Sequence, residues 1–251
     1  MYILSFDIGL KNLALCLSST DETGNLQKYH IHYWNVINTL DSSDDINKVC
    51  VKCKRTANMK CQVNQMVLCE KEGDSIEESV LNYYCKTHYP KDKSIKKENK
   101  IVNKKVKDFL LQDIAKLILE TLDTVWEDIS CHLDLLTKIV IELQPRVNNK
   151  MKFVSHVVYG KIIDLLRYSQ KDHVIVRFVS ATKKLRVYNG PFVQCKLKGE
   201  YAKRKYLSIK YTEWFLREKF VNTEVWLDLF MKHSKKDDLA DCFLMCLNEM
   251  K

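Results

Sequence analysis

The chain has 251 residues, of which 46% are hydrophobic, with only six glycines and three prolines. This composition excludes a disordered or collagen-like chain and is sufficient for one large domain, or for one domain with an insertion. Its 41 Lys and Arg against 32 Asp and Glu give a net charge of +9, which favours a polyanionic partner.

The N-terminal apolar segment has no basic lead and is interrupted early by Asp7. We therefore expect neither a signal peptide nor a membrane span at this end. Without an export signal, the ten cysteines are expected to be thiols or metal ligands in a reducing compartment rather than disulfides.

Three short β-type segments open the chain: Tyr2–Phe6, Leu13–Leu17 and His30–Ile37. A turn signal at residues 21–25 precedes the third segment, so an antiparallel meander is predicted. The first strand is apolar on both faces and is expected in the middle of the sheet. Asp7 at its end is then unusual, because a buried carboxylate is costly unless a positive charge pairs with it.

Residues 41–97 lose clear periodicity and are predicted to form a Cys- and Lys-rich insertion that binds zinc. The segment contains two pairs of ligands, each separated by two residues: Cys50 with Cys53, and Cys85 with His88. Such pairs present ligands to one tetrahedral Zn²⁺. A lysine-rich loop with incidental thiols is the alternative, and Cys61 and Cys69 could replace one pair or bind a second ion.

The second half of the chain alternates helices and strands. A lysine run at 91–107, equally suited to solvent and to DNA, leads into a long helix whose apolar stripe extends from Val102 to Val125. The remaining predicted elements are a buried strand at Thr137–Leu143, bounded by Pro145, a helix at Asn149–Tyr168, a strand at His173–Ser180, a basic helix at Glu200–Phe220, and a last helix from Asp237.

Acidic residues recur where these elements would converge. Glu142 ends the buried strand, and Asp241 shares a helix face with both Asp237 and Asp238, so spacing alone cannot choose between those two. Taken singly, each acid has an ordinary role as a turn former, strand-end charge or helix cap. Taken with Asp7, they suggest a divalent-metal nuclease, because hard carboxylate oxygens are preferred ligands of Mg²⁺.

The predicted order of elements is that of a ribonuclease H-like α/β fold, with three antiparallel strands and then two parallel strands, flanked by helices. Within it, four sets of residues resemble the poxvirus-type Holliday junction resolvases, which are relatives of RuvC and of the fungal mitochondrial resolvases. They are Ser5–Ala14, Ile141–Pro145 with 148–152, Tyr201–Lys205 and Lys235–Asp241. The resemblance covers nearly the whole chain except residues 41–97.

This resemblance implies a metal-dependent endonuclease that resolves four-way DNA junctions by paired hydrolysis of phosphodiesters. It implies two Mg²⁺ ions per site, for which Mn²⁺ could substitute, held by Asp7, Glu142, Asp238 and Asp241. It also places Lys205 near the reacting phosphate. Lys203 and Arg204 adjoin Lys205, and Lys183, Lys184 and Arg186 lie upstream, so a solvated basic face is the alternative for that residue.

The resemblance further implies a homodimer and a large cytoplasmic DNA virus as the source, and hence the host cytoplasm rather than the mitochondrion. Two other functions remain open from the sequence. One is a ribonuclease H-like nuclease acting on other branched DNA or RNA. The other is a non-catalytic nucleic-acid-binding relative.

Overall fold

The structure, a computed structural model, describes residues 1–23, 26–40, 49–53, 55, 57–68, 75–91, 99–100, 106–144, 148–221 and 223–250. It divides into two compact units, Met1–Leu40 with Phe109–Lys251, and Asp41–Asp108. Several positions used above lie outside the described residues, namely Gly24, Asn25, Cys69, Pro145 and most of the lysine run.

Within the described residues the chain forms seven strands and five α-helices. The strands are β1 (Tyr2–Ile8), β2 (Asn12–Thr23), β3 (Leu26–Asn38), β4 (Met59–Leu68), β5 (Ser75–Tyr84), β6 (Leu136–Glu142) and β7 (Ile175–Val179). The helices are α1 (Leu111–Asp128), α2 (Asn149–Tyr168), α3 (Glu200–Glu218), α4 (Glu224–Lys232) and α5 (Lys236–Asn248). Among these residues no helix has the length and apolarity that a membrane crossing requires.

The first unit is built on a five-stranded mixed sheet with the order β3-β2-β1-β6-β7. β1 pairs antiparallel with β2, which pairs antiparallel with β3. On its other edge β1 pairs parallel with β6, and β6 pairs parallel with β7. The predicted ribonuclease H-like sheet is thus confirmed, and the central position of β1 explains its apolar residues on both faces.

Helices cover both faces of this sheet. α5 packs on β1 and β2, while α2 packs on β1 and β6 and is itself backed by α1. Two side chains hold α5 to the sheet: the Ser5 hydroxyl donates to the Cys242 carbonyl at 2.7 Å, and Trp34 Nε1 donates to the Leu239 carbonyl at 3.0 Å. α5 is therefore held by hydrogen bonds as well as by apolar packing.

Strand periodicity decides which face carries the acids. Ile3 of β1 and Val140 of β6 belong to the apolar cluster that includes most of α5. Because side chains alternate between faces, Asp7 and Glu142 lie on the face that α5 covers. The two acids predicted from separate motifs therefore reach the same side of the sheet as the acids of α5.

The second unit contains a hairpin that the sequence analysis missed. β4 and β5 pair antiparallel over their full lengths and form a two-stranded sheet. Apolar and polar residues alternate over residues 59–64 of β4 but not in β5, so the pattern marks only part of the hairpin. The small buried cluster of this unit consists of Met59, Cys61, Tyr84 and Tyr89.

One predicted helix boundary was wrong, and one helix was missed. The first long helix begins at Leu111 rather than near Val102; Val106–Asp108 is a short 3₁₀ helix, and Leu110 has extended backbone with an exposed side chain. Apolar residues at helical spacing therefore extend in the sequence to positions before the first residue of the helix. The second error is α4, which separates α3 from α5 and was not predicted.

Candidate functional site

The carboxyl ends of β1 and β6 bring two acids together. The register pairs Phe6 with Ile141, so Asp7 and Glu142 follow as neighbours on the face that α5 covers. The Gln144 amide, which is buried, donates at 3.3 Å to the Ile8 carbonyl and at 3.3 Å to Glu142 Oε2. Gln144 thereby ties the Glu142 carboxylate to the end of β1.

Asp241 of α5 and a lysine complete this group, which we call the acid centre: Asp7, Glu142, Asp241 and Lys184. Lys184 lies on a 3₁₀ helix, Ala181–Val187, that follows β7. Its Nζ is 2.6 Å from Asp241 Oδ2 and 3.6 Å from Glu142 Oε1. Lys184 is only 8% exposed, and its charge also acts on the partly buried Asp7, which was expected to require a nearby cation.

The sequence analysis did not single out Lys184. It lies among other basic residues after a strand, which is the pattern of an ordinary solvated surface. Its contacts with Glu142 and Asp241 join residues far apart in the chain, so no local spacing could reveal them. The available signal was a balance of charge, since several acids on buried elements require a cation nearby.

Electrostatics in the acid centre follow from burial and mutual repulsion. Burial raises the pKa of Asp7 well above its usual value, and the Glu142 and Asp241 carboxyl groups raise it further, while Lys184 offsets part of this effect. Burial likewise raises the pKa of Asp241, against the opposing effect of Lys184. Burial alone would lower the pKa of Lys184, but Asp241 and Glu142 outweigh it and the pKa is raised.

The two acids in the first turn of α5 have different partners. Asn12 Nδ2 donates to Asp238 Oδ2 at 3.3 Å, whereas Lys205 donates to Asp237 and lies over the Tyr201 ring. Lys205 is thus paired with Asp237, and the cation that contacts Glu142 and Asp241 is Lys184. The assignment of Asp238 as a ligand and of Lys205 as the phosphate contact stays a prediction.

The acid centre fits a hard divalent cation. Asp241 Oδ1 is buried and accepts no hydrogen bond of normal geometry from a described residue, although the nearby Ser208 hydroxyl acts to lower the pKa of Asp241. An unpartnered carboxylate oxygen in such a place is costly, and a metal ion would satisfy it. The other donors in the group are also carboxylate oxygens, the ligand type that suits Mg²⁺ and Mn²⁺.

A second cluster, in the 41–108 unit, has the chemistry of a zinc site. The ligand atoms of Cys50, Cys53, Cys85 and His88 all lie within 4.8 Å of one another. Cys53 and Cys85 Sγ are 3.8 Å apart, and His88 Nδ1 is 3.6 Å from Cys50 Sγ and 3.5 Å from Cys85 Sγ. Zn–S bonds of about 2.3 Å and Zn–N bonds of about 2.0–2.1 Å at tetrahedral angles give nearly these separations.

The backbone around this cluster favours a thiolate. Burial raises the pKa of Cys50, but hydrogen bonds from the backbone at Cys85, Lys52 and Cys53, and from His88, outweigh burial and lower it to about 5. A thiolate is the form that binds zinc. Of the alternative ligands, Cys61 contacts the Gln62 carbonyl instead of this cluster, and Cys69 lies outside the described residues.

The order of the sheet and the helices on both of its faces define a ribonuclease H-like fold. Among solved structures, the yeast mitochondrial Holliday junction resolvase is similar, with a TM-score of 0.50, 15% identity, and 99% of this chain and 77% of that chain covered. At this level of identity the similarity shows the fold. No protein-family model and no curated protein sequence matches the chain.

Two further solved structures are less similar. Fowlpox virus resolvase with Holliday junction DNA has a TM-score of 0.44 and 16% identity, with 100% of this chain and 97% of that chain covered. Thermus thermophilus RuvC with a Holliday junction substrate has a TM-score of 0.46 and 10% identity, with 99% and 92% covered.

Asp7→Asn should stabilise the protein when Mg²⁺ is removed from the buffer and zinc is retained. The raised pKa means that the folded chain holds a proton that the unfolded chain releases, so parent stability falls as pH rises from 3.8 through the raised pKa. The amide removes this penalty, and Tm should rise by about 2–4 °C for each kcal/mol gained. Scanning calorimetry would measure it, with Asp228→Asn on the exposed face of α4 as the control. A lower Tm for Asp7→Asn contradicts the electrostatics described.

Lys184→Met should lower Tm. The substitution keeps most of the length of the side chain but leaves three carboxylates without their cation. Removing one partner of a buried pair costs about 3–5 kcal/mol, against about 0–1 kcal/mol for an exposed pair. Lys232→Met is the control, since Lys232 and its partner Asp228 on α4 are both well exposed. Added Mg²⁺ should recover much of the loss for Lys184→Met. Equal Tm values for the two variants without Mg²⁺ would show that Lys184 does not balance the acids.

Protein purified without added metal should contain about one zinc per chain, because the cluster provides four ligands and no open position. Cys53→Ser should lower the zinc content, measured by elemental analysis, and should make the 41–108 unit sensitive to proteolysis. Cys131→Ser, an exposed thiol in the other unit, should change neither. Zinc-free protein with a protease-resistant unit would refute the site.

Proposed function

We propose that this protein is a Mg²⁺-dependent endonuclease that cuts four-way DNA junctions. The observation that carries the proposal is the convergence of Asp7, Glu142 and Asp241 on one face of the sheet, with one buried carboxylate oxygen left without a partner. Carboxylates that repel one another in a fold of this kind are arranged for a cation of higher charge than a lysine. The resolvase-like fold supports the choice of DNA junctions as the substrate.

Asp7, Glu142 and Asp241 would hold the metal, with Asp238 as a further ligand. Bound Mg²⁺ would supply a deprotonated water at neutral pH and neutralise charge on the phosphate. The chain provides the rest: Gln144 holds the Glu142 carboxylate, and Asn12 holds Asp238. Hydrogen bonds of this kind orient ligands before a metal arrives.

Lysines would balance charge on the DNA. With its carboxylate partners engaged by a metal, Lys184 would be available to contact a phosphate oxygen. Lys205, beside Asp237, is the second such residue in the proposal. A positive charge near the departing oxygen lowers the barrier most if it acts chiefly in the transition state.

A homodimer is part of the proposal. Resolution of a four-way junction requires two nicks in strands related by two-fold symmetry, and a two-fold dimer provides two equivalent acid centres. The net charge of +9 suits the polyanionic substrate.

The test is cleavage of a synthetic four-way junction and a linear duplex of the same sequence, with and without Mg²⁺. Paired nicks in the junction alone, only with Mg²⁺, are expected. Glu142→Gln should still bind the junction but lose cleavage activity. Loss of a residue that only supports a metal ligand costs about 10- to 100-fold in activity, and the loss for Glu142→Gln should be larger. Glu218→Gln, an exposed acid at the end of α3, should cut like the parent.

Other results would change the assignment in different ways. Equal cleavage of duplex and junction would make the protein a less selective nuclease. Binding without cleavage by metal-loaded parent protein, in Mg²⁺ or Mn²⁺, would make it a non-catalytic relative. Full activity in Glu142→Gln would move the catalytic site away from the acid centre.

A further inference from the structure

The segment between the 3₁₀ helix and α3, residues 188–199, exposes a large aromatic side chain. Phe192 is 93% exposed. Two other apolar side chains nearby in the chain are also well exposed, Leu197 in the segment and Tyr201 at the start of α3. We call residues 188–199 the Phe192 loop. A phenylalanine displayed this fully gains nothing for the stability of the fold, because none of its apolar surface is removed from water.

The Phe192 loop is firmly anchored on one side. The Tyr188 ring stacks on Tyr211 of α3, with ring centroids 3.7 Å apart and planes 2° from parallel. The Tyr188 hydroxyl donates to the Pro191 carbonyl at 2.7 Å. A Cβ at Gly190 would lie 2.6 Å from Trp214 Cε2, so the loop can lie this close to α3 only with glycine there. The residues just before Phe192 are thus held on α3, so little backbone entropy is lost at that point on binding.

The chain on both sides of Phe192 is rich in positive charge. From residue 180 to residue 205 the chain has one acidic residue, Glu200. Six exposed cations in the same stretch make no ion pair with any described residue: Lys183, Arg186, Lys196, Lys198, Lys203 and Arg204. This charge opposes the approach of a second copy of the same surface and favours a polyanion.

The loop also joins the two elements that carry the lysines of the candidate site. Lys184 lies on the 3₁₀ helix before it, and Lys205 lies on α3 after it. A nucleic acid bound at the acid centre would therefore contact the two elements that flank this loop. An exposed flat ring beside unpaired cations matches one ligand chemistry in particular, a nucleobase whose face is not covered by a neighbour.

We propose that Phe192 stacks on an unpaired nucleobase, while the surrounding cations hold the adjoining phosphates. This inference rests on the nucleic-acid class of the proposed function but not on catalysis. The Phe192 loop would then favour nucleic acid that has an opened or unpaired base. A fully stacked duplex has no such base.

The test measures binding without Mg²⁺, at one fixed salt concentration, to oligonucleotides that carry the fluorescent base 2-aminopurine in an unpaired position. Phe192→Ala should weaken binding about 5- to 150-fold and abolish the change in fluorescence seen with the parent. Phe192→Trp should keep both, whereas Phe192→Leu should lose both, because stacking needs a flat ring rather than apolar surface. Tyr168→Ala, which removes an 88% exposed aromatic residue at the end of α2, is the matched control and should bind like the parent.

Parallel DNA and RNA oligonucleotides of one sequence would show which of the two supplies the base. Unchanged affinity and fluorescence for Phe192→Ala overturn the inference, as does a shift of Phe192→Ala from dimer to monomer in light scattering, which would make the loop a contact between subunits. These outcomes are separable from failure of the proposed function. A parent that cuts junctions while Phe192→Ala binds normally loses only the inference, and a parent that cuts nothing but stacks through Phe192 loses only the catalysis.

Discussion

Mutual repulsion among the carboxylates of Asp7, Glu142 and Asp241 is the constraint around which the first unit is arranged. Burial strengthens that repulsion, and Lys184 offsets it from a 3₁₀ helix that also packs Val187 into the core. This arrangement is unfavourable for stability, since a buried ion pair often stabilises a fold less than apolar residues of the same volume. Such a local cost is typical of a site kept ready for a ligand rather than optimised for stability.

Hydrogen bonds of the core make this arrangement possible. Ser5 and Trp34 bond to carbonyls of α5, and those bonds fix the helix against rotation and sliding. Because Asp238 and Asp241 project from that helix, their positions depend on polar contacts that lie beneath them. The 41–108 unit uses a different device: its apolar cluster is small, and a soft-ligand cluster of three thiols and one imidazole lies beside the hairpin. Hard oxygen donors and soft sulfur donors in one chain can sort two metals by chemistry alone.

Local patterns were sufficient for much of the fold and for the acids, but not for their partners. The bounds of α2 were predicted to the residue, because Asn148 caps the helix by accepting from the Met151 amide and the apolar stripe begins directly after it. β1 and β6 were predicted from a different local pattern, a short apolar run with one acid at or near its end.

The failures share a physical cause. The β4–β5 hairpin is stabilised by backbone pairing between polar segments, so hydrophobic alternation marks it weakly. Lys184 gains its meaning from Glu142 and Asp241, and Lys205 from Asp237, through contacts that only the folded chain creates. The sequence gives the charge of each residue. The tertiary structure determines its ion-pair partner, and hence its role.

The docking of α5 on β1 also has a consequence for the timing of synthesis. The acid centre joins residue 7 to residue 241, so it is among the contacts of greatest sequence separation in the fold, and such contacts are slow to form. Chains are made from the N-terminus, and β1 to β3 leave the ribosome long before α5 exists. A growing chain therefore carries Asp7 without Asp241, and the acid centre stays incomplete until translation has passed α5.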